Sequence, residues 1–334
     1  MKHKIILFIL QIFLLSSCLS EYREHFQREH ASVSLRVVSW ESANTYEKFA
    51  ILPDANELGT IVENIDQAKS RIWVEIYTWT EKSTLEAVLR AKDRWVDVRV
   101  VLEGNVYFTP RINDPTFETL QTARIPVVFA DNRRYTFTHA KFWIIDTEWC
   151  LSTGNWSYTT FTKNREFIYC SDDRSILSDL EEIFLSDARH ELPYFSGGLD
   201  SRLWVSPIDM REWLTENITS AQKSLYVYNQ SLSDEGIIAL LQAKKDAWVD
   251  VRVCTTSPAH TGALLSRDFQ ISTIKKPYLH AKLVLIDGEK MIIGSINFTQ
   301  NAIDNNRETA FLIEKNEKFF SQAKNLFLSE CLPE

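Results

Sequence analysis

The 334-residue chain lacks the spacings that announce a bound metal: it has no Cys-x-x-Cys and no His-Glu-x-x-His. Neither a structural nor a catalytic zinc is therefore expected, and no residue pattern asks for another cofactor. Low-complexity segments are absent as well. Beyond the N-terminal region no apolar run approaches the roughly 20 residues that cross a bilayer. Positive charge is in short supply, with 37 Lys and Arg against 45 Asp and Glu and a formal charge of −8. That balance disfavours nonspecific nucleic-acid binding, which depends on many cationic contacts to phosphate. It leaves room for a local basic groove, with Lys141, Lys282, Arg165 and Arg307 as its candidates.

Cysteine is scarce too, at five residues, and the first of them has a distinctive setting. Met1 to Ser20 reads as an export signal: Lys2 and Lys4 form a basic end, and Ile5 to Leu15 an apolar run broken only by Gln11. The run is too short to span a membrane and ends Leu15-Ser16-Ser17-Cys18, which looks like a bacterial lipobox. On that reading residues 1–18 are the signal peptide and Cys18 is acylated. An ordinary cleaved signal or a short uncleaved anchor is the alternative. Either way the mature protein is exported. With the lipobox it is anchored to a bacterial membrane, facing the periplasm or the exterior. Residues 19–45 are largely polar and read as a tether, in which His25 and His30 are solvated. The other four cysteines permit disulfides in an exported chain. Cys150 and Cys170, on strands expected to be neighbours, are the best pair, small buried hydrophobes being the other reading.

What the chain does have is one constellation written twice. The first copy reads His139-Ala-Lys141, four apolar residues, Asp146, then Thr153-Gly154-Asn155 and Asn164-Arg165-Glu166. The second reads His280-Ala-Lys282, four apolar residues, Asp287, then Gly294-Ser295-Ile296-Asn297 and Asn306-Arg307-Glu308. In both, eleven positions separate the last-named Asn of the turn from the Glu. The apolar runs read as buried strands, on which His and Lys, two apart, project from one face. Asp146 and Asp287 lie an odd number of positions away and are expected to support the fold without taking part in bond making.

The repeat extends over the rest of the chain. Ile61–Ala68 parallels Leu214–Ala221 and Leu85–Lys92 parallels Ile238–Lys245, all helical by periodicity. Ile72–Tyr77 parallels Leu225–Gln230 as strands, and Trp95-Val-Asp-Val-Arg-Val100 matches Trp248 to Val253 letter for letter. Alternation of this kind predicts an α/β fold of two similar halves, each a mixed β-sheet flanked by helices. The halves are assigned to residues 46–191 and 208–334, with a connector at 192–207. The halves differ mainly in the loop before the active strand, Glu103–Thr138 in the first and the shorter Thr256–Leu279, carrying His260, in the second.

These motifs resemble the phospholipase D superfamily, whose signature is His-x-Lys, four residues, Asp and a Gly-Ser-x-Asn turn. The second copy fits in full. The first has a connection one residue shorter, Ser152 for the Gly and Thr153 for the Ser, which keeps a hydroxyl. The resemblance implies a pseudo-twofold pair of halves with one site at their interface, no metal, and a covalent phosphohistidine intermediate. His139 is then the nucleophile and His280 the general acid and base. Lys141, Lys282, Asn155 and Asn297 hold the phosphoryl oxygens, Glu166 and Glu308 stand behind the histidines, and Thr153 and Ser295 support them. The expected activity is hydrolysis of membrane phospholipid to phosphatidic acid and headgroup, with no obligate protein partner. The alternatives are an extracytoplasmic endonuclease of the same superfamily, a phosphatidyltransferase resembling cardiolipin synthase, and a non-catalytic binding lipoprotein.

Overall fold

The computed structural model describes residues 45–256, 269 and 271–331. The signal, the tether with Cys18, His25 and His30, and His260 lie outside the described residues. The first half runs β1 (Glu47–Leu52), α1 (Ala55–Gln67), β2 (Arg71–Ile76), α2 (Lys82–Asp93), β3 (Asp97–Leu102), α3 (Asp114–Thr122), β4 (Val127–Phe129), β5 (Lys141–Ile145), β6 (Glu148–Ser152), α4 (Tyr158–Thr162), β7 (Asn164–Ser171) and α5 (Arg174–Arg189). The second runs β8 (Leu203–Ser206), α6 (Met210–Ser220), β9 (Ser224–Asn229), α7 (Glu235–Asp246), β10 (Asp250–Thr255), β11 (Ile271–Thr273), β12 (Tyr278–Leu279), β13 (Lys282–Ile286), β14 (Lys290–Gly294), α8 (Gln300–Asp304), β15 (Glu308–Glu314) and α9 (Glu317–Glu330).

The helices start where a side chain can satisfy free backbone N–H groups. Asp54 caps α1, Glu81 caps α2 and Asp234 caps α7. Each then buries one apolar stripe, such as Ile61 and Ile65 of α1 or Ile237, Ile238 and Leu241 of α7. The strands β5 and β13 are buried along their whole length, as continuous apolar runs require.

Strand order is β1-β7-β6-β5-β2-β3-β4 in one sheet and β8-β15-β14-β13-β9-β10-β11 in the other. The two match strand for strand. In each, the His-Lys-Asp strand runs antiparallel to the strand after the first long helix, β5 to β2 and β13 to β9. The next strands, β3 and β10, run parallel to β2 and β9. The sheets are mixed in both halves. A central core lies between them, where Trp149 and Tyr169 meet Phe311 at ring-centroid distances of 5.1 and 5.2 Å and Phe167 meets Tyr228 at 5.6 Å. Helices α5 and α9 contribute Phe184 and Phe327 to that core. The outer faces of the two sheets pack separately, against α1 and α2 in one half and α6 and α7 in the other.

Three features differ from the sequence reading. The stretch 103–138 is not a bare loop, because it holds α3 and β4, and β4 extends the first sheet beside β3. Leu203–Ser206, within the stretch assigned to the connector, is the edge strand β8 paired with β15. The active histidines precede β5 and β13 and do not lie within them, for a reason that the site makes plain.

Candidate active site

Each histidine-bearing segment is stitched to the opposite half. The amides of His139 and Ala140 donate to the Arg307 carbonyl at 2.8 and 2.9 Å, and the Arg307 amide donates to the Phe137 carbonyl. In the mirror arrangement Tyr278 N–H donates to Lys163 O, and β12 pairs in parallel with the start of β7. These exchanged backbone ties lift both histidines out of their own sheets. They set His139 beside the strand that carries Glu308, and His280 beside the strand that carries Glu166.

The side chains follow. His139 Nδ1 lies 2.9 Å from Glu308 Oε2, and His280 Nδ1 lies 2.6 Å from Glu166 Oε1. Each carboxylate therefore stands behind the histidine of the other half. Both glutamates are fully buried, and their remaining acceptor capacity is satisfied locally. Thr153 Oγ1 donates to Glu166 at 2.7 Å and Ser295 Oγ to Glu308 at 2.5 Å. Asn164 and Asn306 donate at 3.3 and 3.0 Å to the other oxygens. Thr153 thus fills the role of Ser295 despite its changed turn. Burial alone raises a carboxyl pKa, but the paired histidines and nearby lysines outweigh it and hold both glutamates ionised below the usual range.

The lysines sit close to the histidine backbones. Lys141 Nζ donates to the His139 carbonyl at 2.5 Å, and Lys282 Nζ to the His280 carbonyl. Lys282 Nζ also lies 3.2 Å from His280 Nδ1 and 3.4 Å from Gln230 Oε1. Burial lowers both ammonium pKa values, Lys282 to about 8. It also lowers the His139 pKa to about 4, against the opposing pull of Glu308, and lowers that of His280. Asn155 and Asn297 each keep a buried side-chain oxygen without a protein partner.

Asp146 and Asp287 stand apart from this cluster, at the far ends of β5 and β13. Asp146 accepts the amides of Lys69, Ser70 and Arg71, and Asp287 those of Gln222, Lys223 and Ser224. They anchor the starts of β2 and β9 and touch no site residue named above. Arg165 and Arg307 correct the expectation of a basic groove. Arg165 is paired with Glu330 and the Leu52 carbonyl, and buried Arg307 with Asp187 and the Tyr135 hydroxyl. On a strand neighbouring residues face opposite ways, so the position that turns Glu166 and Glu308 into the site turns these arginines out of it.

Cys150 and Cys170 are joined in a disulfide between β6 and β7. With both sulfurs committed, the adjacent Glu148 has no thiolate beside it with which to hold a metal. A second disulfide, Cys254–Cys331, was not assigned from sequence.

Sequence reasoning also passed over three site residues. The Tyr77 ring meets His139 edge-on at 4.6 Å and lies 5.2 Å from Lys141 Nζ, while its hydroxyl accepts the Tyr107 amide. Gln230 occupies the matching place in the second half. Glu103, fully buried, accepts the amides of Asn105 and Thr138 and the side chain of Asn132, so it ties together both ends of the 103–138 stretch next to His139. The available signals were a lone charge ending the run Val100-Val101-Leu102 and the change from Tyr77 to Gln230 at the tips of aligned strands.

Two histidines backed by carboxylates, two ammonium groups and paired amides make a site suited to an anionic ester. The sequence matches the family described as "Cardiolipin synthase, PLD-like domain" over residues 61–188 and 214–330. The chain belongs to the phospholipase D superfamily, whose enzymes are phosphodiesterases. A protein named phospholipase D from Rickettsia bellii is 28% identical over 134 residues, which are 37% of this chain and 66% of the relative. Among solved structures, phosphatidylserine synthase from Haemophilus influenzae superposes with a TM-score of 0.67 at 13% identity, over 83% of this chain and 84% of that one. Polyphosphate kinase from Porphyromonas gingivalis gives 0.64 at 18% identity over 85% of this chain. The chain spans just under two thirds of the rickettsial protein and 46% of the kinase. These structural likenesses carry the fold: two halves of one kind, joined in one unit.

Proposed function

We propose that the protein is a metal-independent phosphodiesterase that hydrolyses phospholipid to phosphatidic acid and a free headgroup through a phosphohistidine. The observation that supports this most is the crossed pair of His–Glu contacts beside two buried lysines. Glu308 at Nδ1 of His139 favours the tautomer whose Nε2 carries a lone pair, and the depressed His139 pKa keeps that lone pair available at neutral pH. Nε2 attacks phosphorus, the phosphorus–oxygen bond to the headgroup breaks, and the departing oxygen takes a proton from His280. Water then attacks the phosphohistidine, giving its proton to His280 and releasing His139. Burial lowers the His280 pKa, and a phosphodiester anion beside the ring would raise it again, toward the protonated form that the acid role requires. Lys141 and Lys282 offset the charge that builds on the non-bridging oxygens.

Lipid is favoured over nucleic acid because the chain is acidic and because Arg165 and Arg307 are consumed in internal pairs. The name of the rickettsial relative, phospholipase D, points the same way. Cys18→Ala is expected to release the protein from membranes or leave an unprocessed precursor. Fractionation and migration like wild type would remove that part of the reading.

The deciding experiment incubates purified protein with phospholipid vesicles and with single- and double-stranded DNA, in chelator. Headgroup release with intact DNA is expected. DNA cleavage with intact lipid would make the protein a nuclease, and loss of turnover in chelator, restored by a divalent ion, would defeat the metal-free mechanism.

A further inference from the structure

Helices α2 and α7 end in the same way. After α2 the Trp95 amide donates to Lys92 O and the Val96 amide to Ala91 O; after α7 the Trp248 amide donates to Lys245 O and the Val249 amide to Lys244 O. This is the Schellman ending, whose left-handed residue is usually glycine because a Cβ is disfavoured there. Here tryptophan holds that place twice, at φ +67° and +65°. Neither ring is used by the fold, since Trp95 is 93% exposed and Trp248 95% exposed. Both repeats therefore accept a strained backbone to display the largest amphipathic side chain in water.

The two rings stand at the same end of the molecule. The C-terminal ends of β2 and β9 reach the site, because Ile76 pairs with Lys141 and Asn229 with Lys282. β3 and β10 run parallel to them, so the tryptophans just before β3 and β10 lie at the opposite end, about 20 Å away for a six-residue strand. Exposed Lys69 and Lys223, immediately ahead of β2 and β9, share that end. So does the entry of the chain: β1 pairs Leu52 with Glu166 at the site end and Glu47 with Ser171 at the far end. The expected lipobox cysteine is 27 residues upstream of the first described residue.

We infer that this end, through Trp95, Trp248, Lys69 and Lys223, docks on the headgroup layer of a phospholipid bilayer and holds the active site facing away from it. Tryptophan combines an apolar ring with an N–H donor and is suited to the membrane–water boundary, and lysines add attraction to anionic lipid. Two such rings on one end, with the edge strand β1 beginning at the same end, fit a surface better than a single pocket. The docking reading concerns orientation and does not depend on the reaction assigned to the site; combined with phospholipid hydrolysis, it places the substrate in a bilayer opposite the one that carries the protein.

The test uses the full chain on vesicles of brominated phosphatidylcholine and phosphatidylglycerol, where bromine quenches tryptophan emission only at contact depth. Trp95→Gly and Trp248→Gly place glycine where glycine is favoured, so both variants are expected to keep or raise the melting temperature. The full chain should show quenching at least twofold greater than the double variant, with each single variant in between. Vesicle attachment through the N-terminal segment is common to all four, and turnover is not read, so failure here is separable from failure of the phosphodiesterase reading. Equal quenching in the full chain and the double variant would overturn the inference. A dimer that dissociates in the double variant without a change in quenching would also overturn it, assigning the rings to contact between copies.

Discussion

The two halves differ least where the chemistry sits and most in what surrounds it. His139 and His280 have the same Nδ1 partner type, the same lysine two positions on and the same Asn–Glu support. Around them the halves diverge. His139 meets the edge of Tyr77, whereas Gln230 at the matching strand end approaches Lys282. On the face of the first sheet turned to the second half, buried Glu75 has its pKa pushed up, by burial and then by Asp187, close to Arg307. Tyr228 takes the Glu75 position in the second half and donates to Glu330, the partner of Arg165. The small residue of the turn also changes place. A Cβ on Gly294 would fall 2.3 Å from the Thr309 carbonyl, while one on Gly154 would meet Thr160 and Glu166 side chains at 2.7 and 2.8 Å. Two sites that are alike in sequence are thus unequal in environment, which suits two histidines with unequal tasks.

The largest effect should come from the histidines themselves. His139→Asn is expected to lower kcat by roughly 10⁴-fold or more, as removal of a nucleophile does, and to form no phosphoenzyme. His280→Asn should still form one with an activated substrate and then stall. Rapid acid-free denaturation and peptide mass analysis read this directly, and an adduct on His280 in the His139→Asn chain would reverse the roles. The crossed pairing predicts that Glu308→Gln fails like His139→Asn, losing the burst, while Glu166→Gln keeps the burst and slows release, each by about 10²-fold. If each glutamine variant instead mimics the histidine of its own half, the crossing has no functional weight.

Gly294→Ala should destabilise by about 3 kcal/mol through backbone overlap, whereas Ser152→Ala at the matching place should cost about 1 kcal/mol for its lost bond to the Gly154 amide. Equal melting temperatures would contradict that asymmetry. A smaller effect concerns pH. Burial lowers the Lys282 pKa to about 8, so its ammonium is present below that value and lost as pH rises through it. kcat/KM should fall tenfold per unit on that side, and Lys282→Arg, which keeps its charge, should remove the limb near 8. Smallest of all, the two disulfides should differ. The cysteines of Cys254–Cys331 are 77 positions apart against 20 for Cys150–Cys170. Loop closure alone makes loss of the longer link costlier by about 1 kcal/mol, measurable by denaturation of the two paired Cys→Ala variants.

The halves, their order of elements and the identities of His139, Lys141, His280, Lys282, Glu166 and Glu308 were legible because the same spacing occurs twice. The crossing was not. Spacing along one strand reports which face a residue takes, but His139 and Glu308 are 169 positions apart and meet only because backbone segments are exchanged. Arg165 and Arg307 were misread as groove cations for a related reason. Their neighbours Glu166 and Glu308 mark the site, yet alternation sends the arginines to Glu330 of α9 and Asp187 of α5. Cys254 and Cys331 lie on elements that a linear reading has no means to bring together.

The exchanged contacts also say something about ancestry. A single repeat holds half of each His–Glu pair, so alone it has a histidine without its carboxylate and a carboxylate without its histidine. A lone repeat could complete the arrangement only by meeting a second copy of itself, and then two identical pairs would be forced on it. Fusing the copies into one chain removes that constraint. Tyr77 and Gln230 could drift apart only after the fusion, and the division of labour between nucleophile and acid is what a duplicated, covalently joined pair is free to acquire.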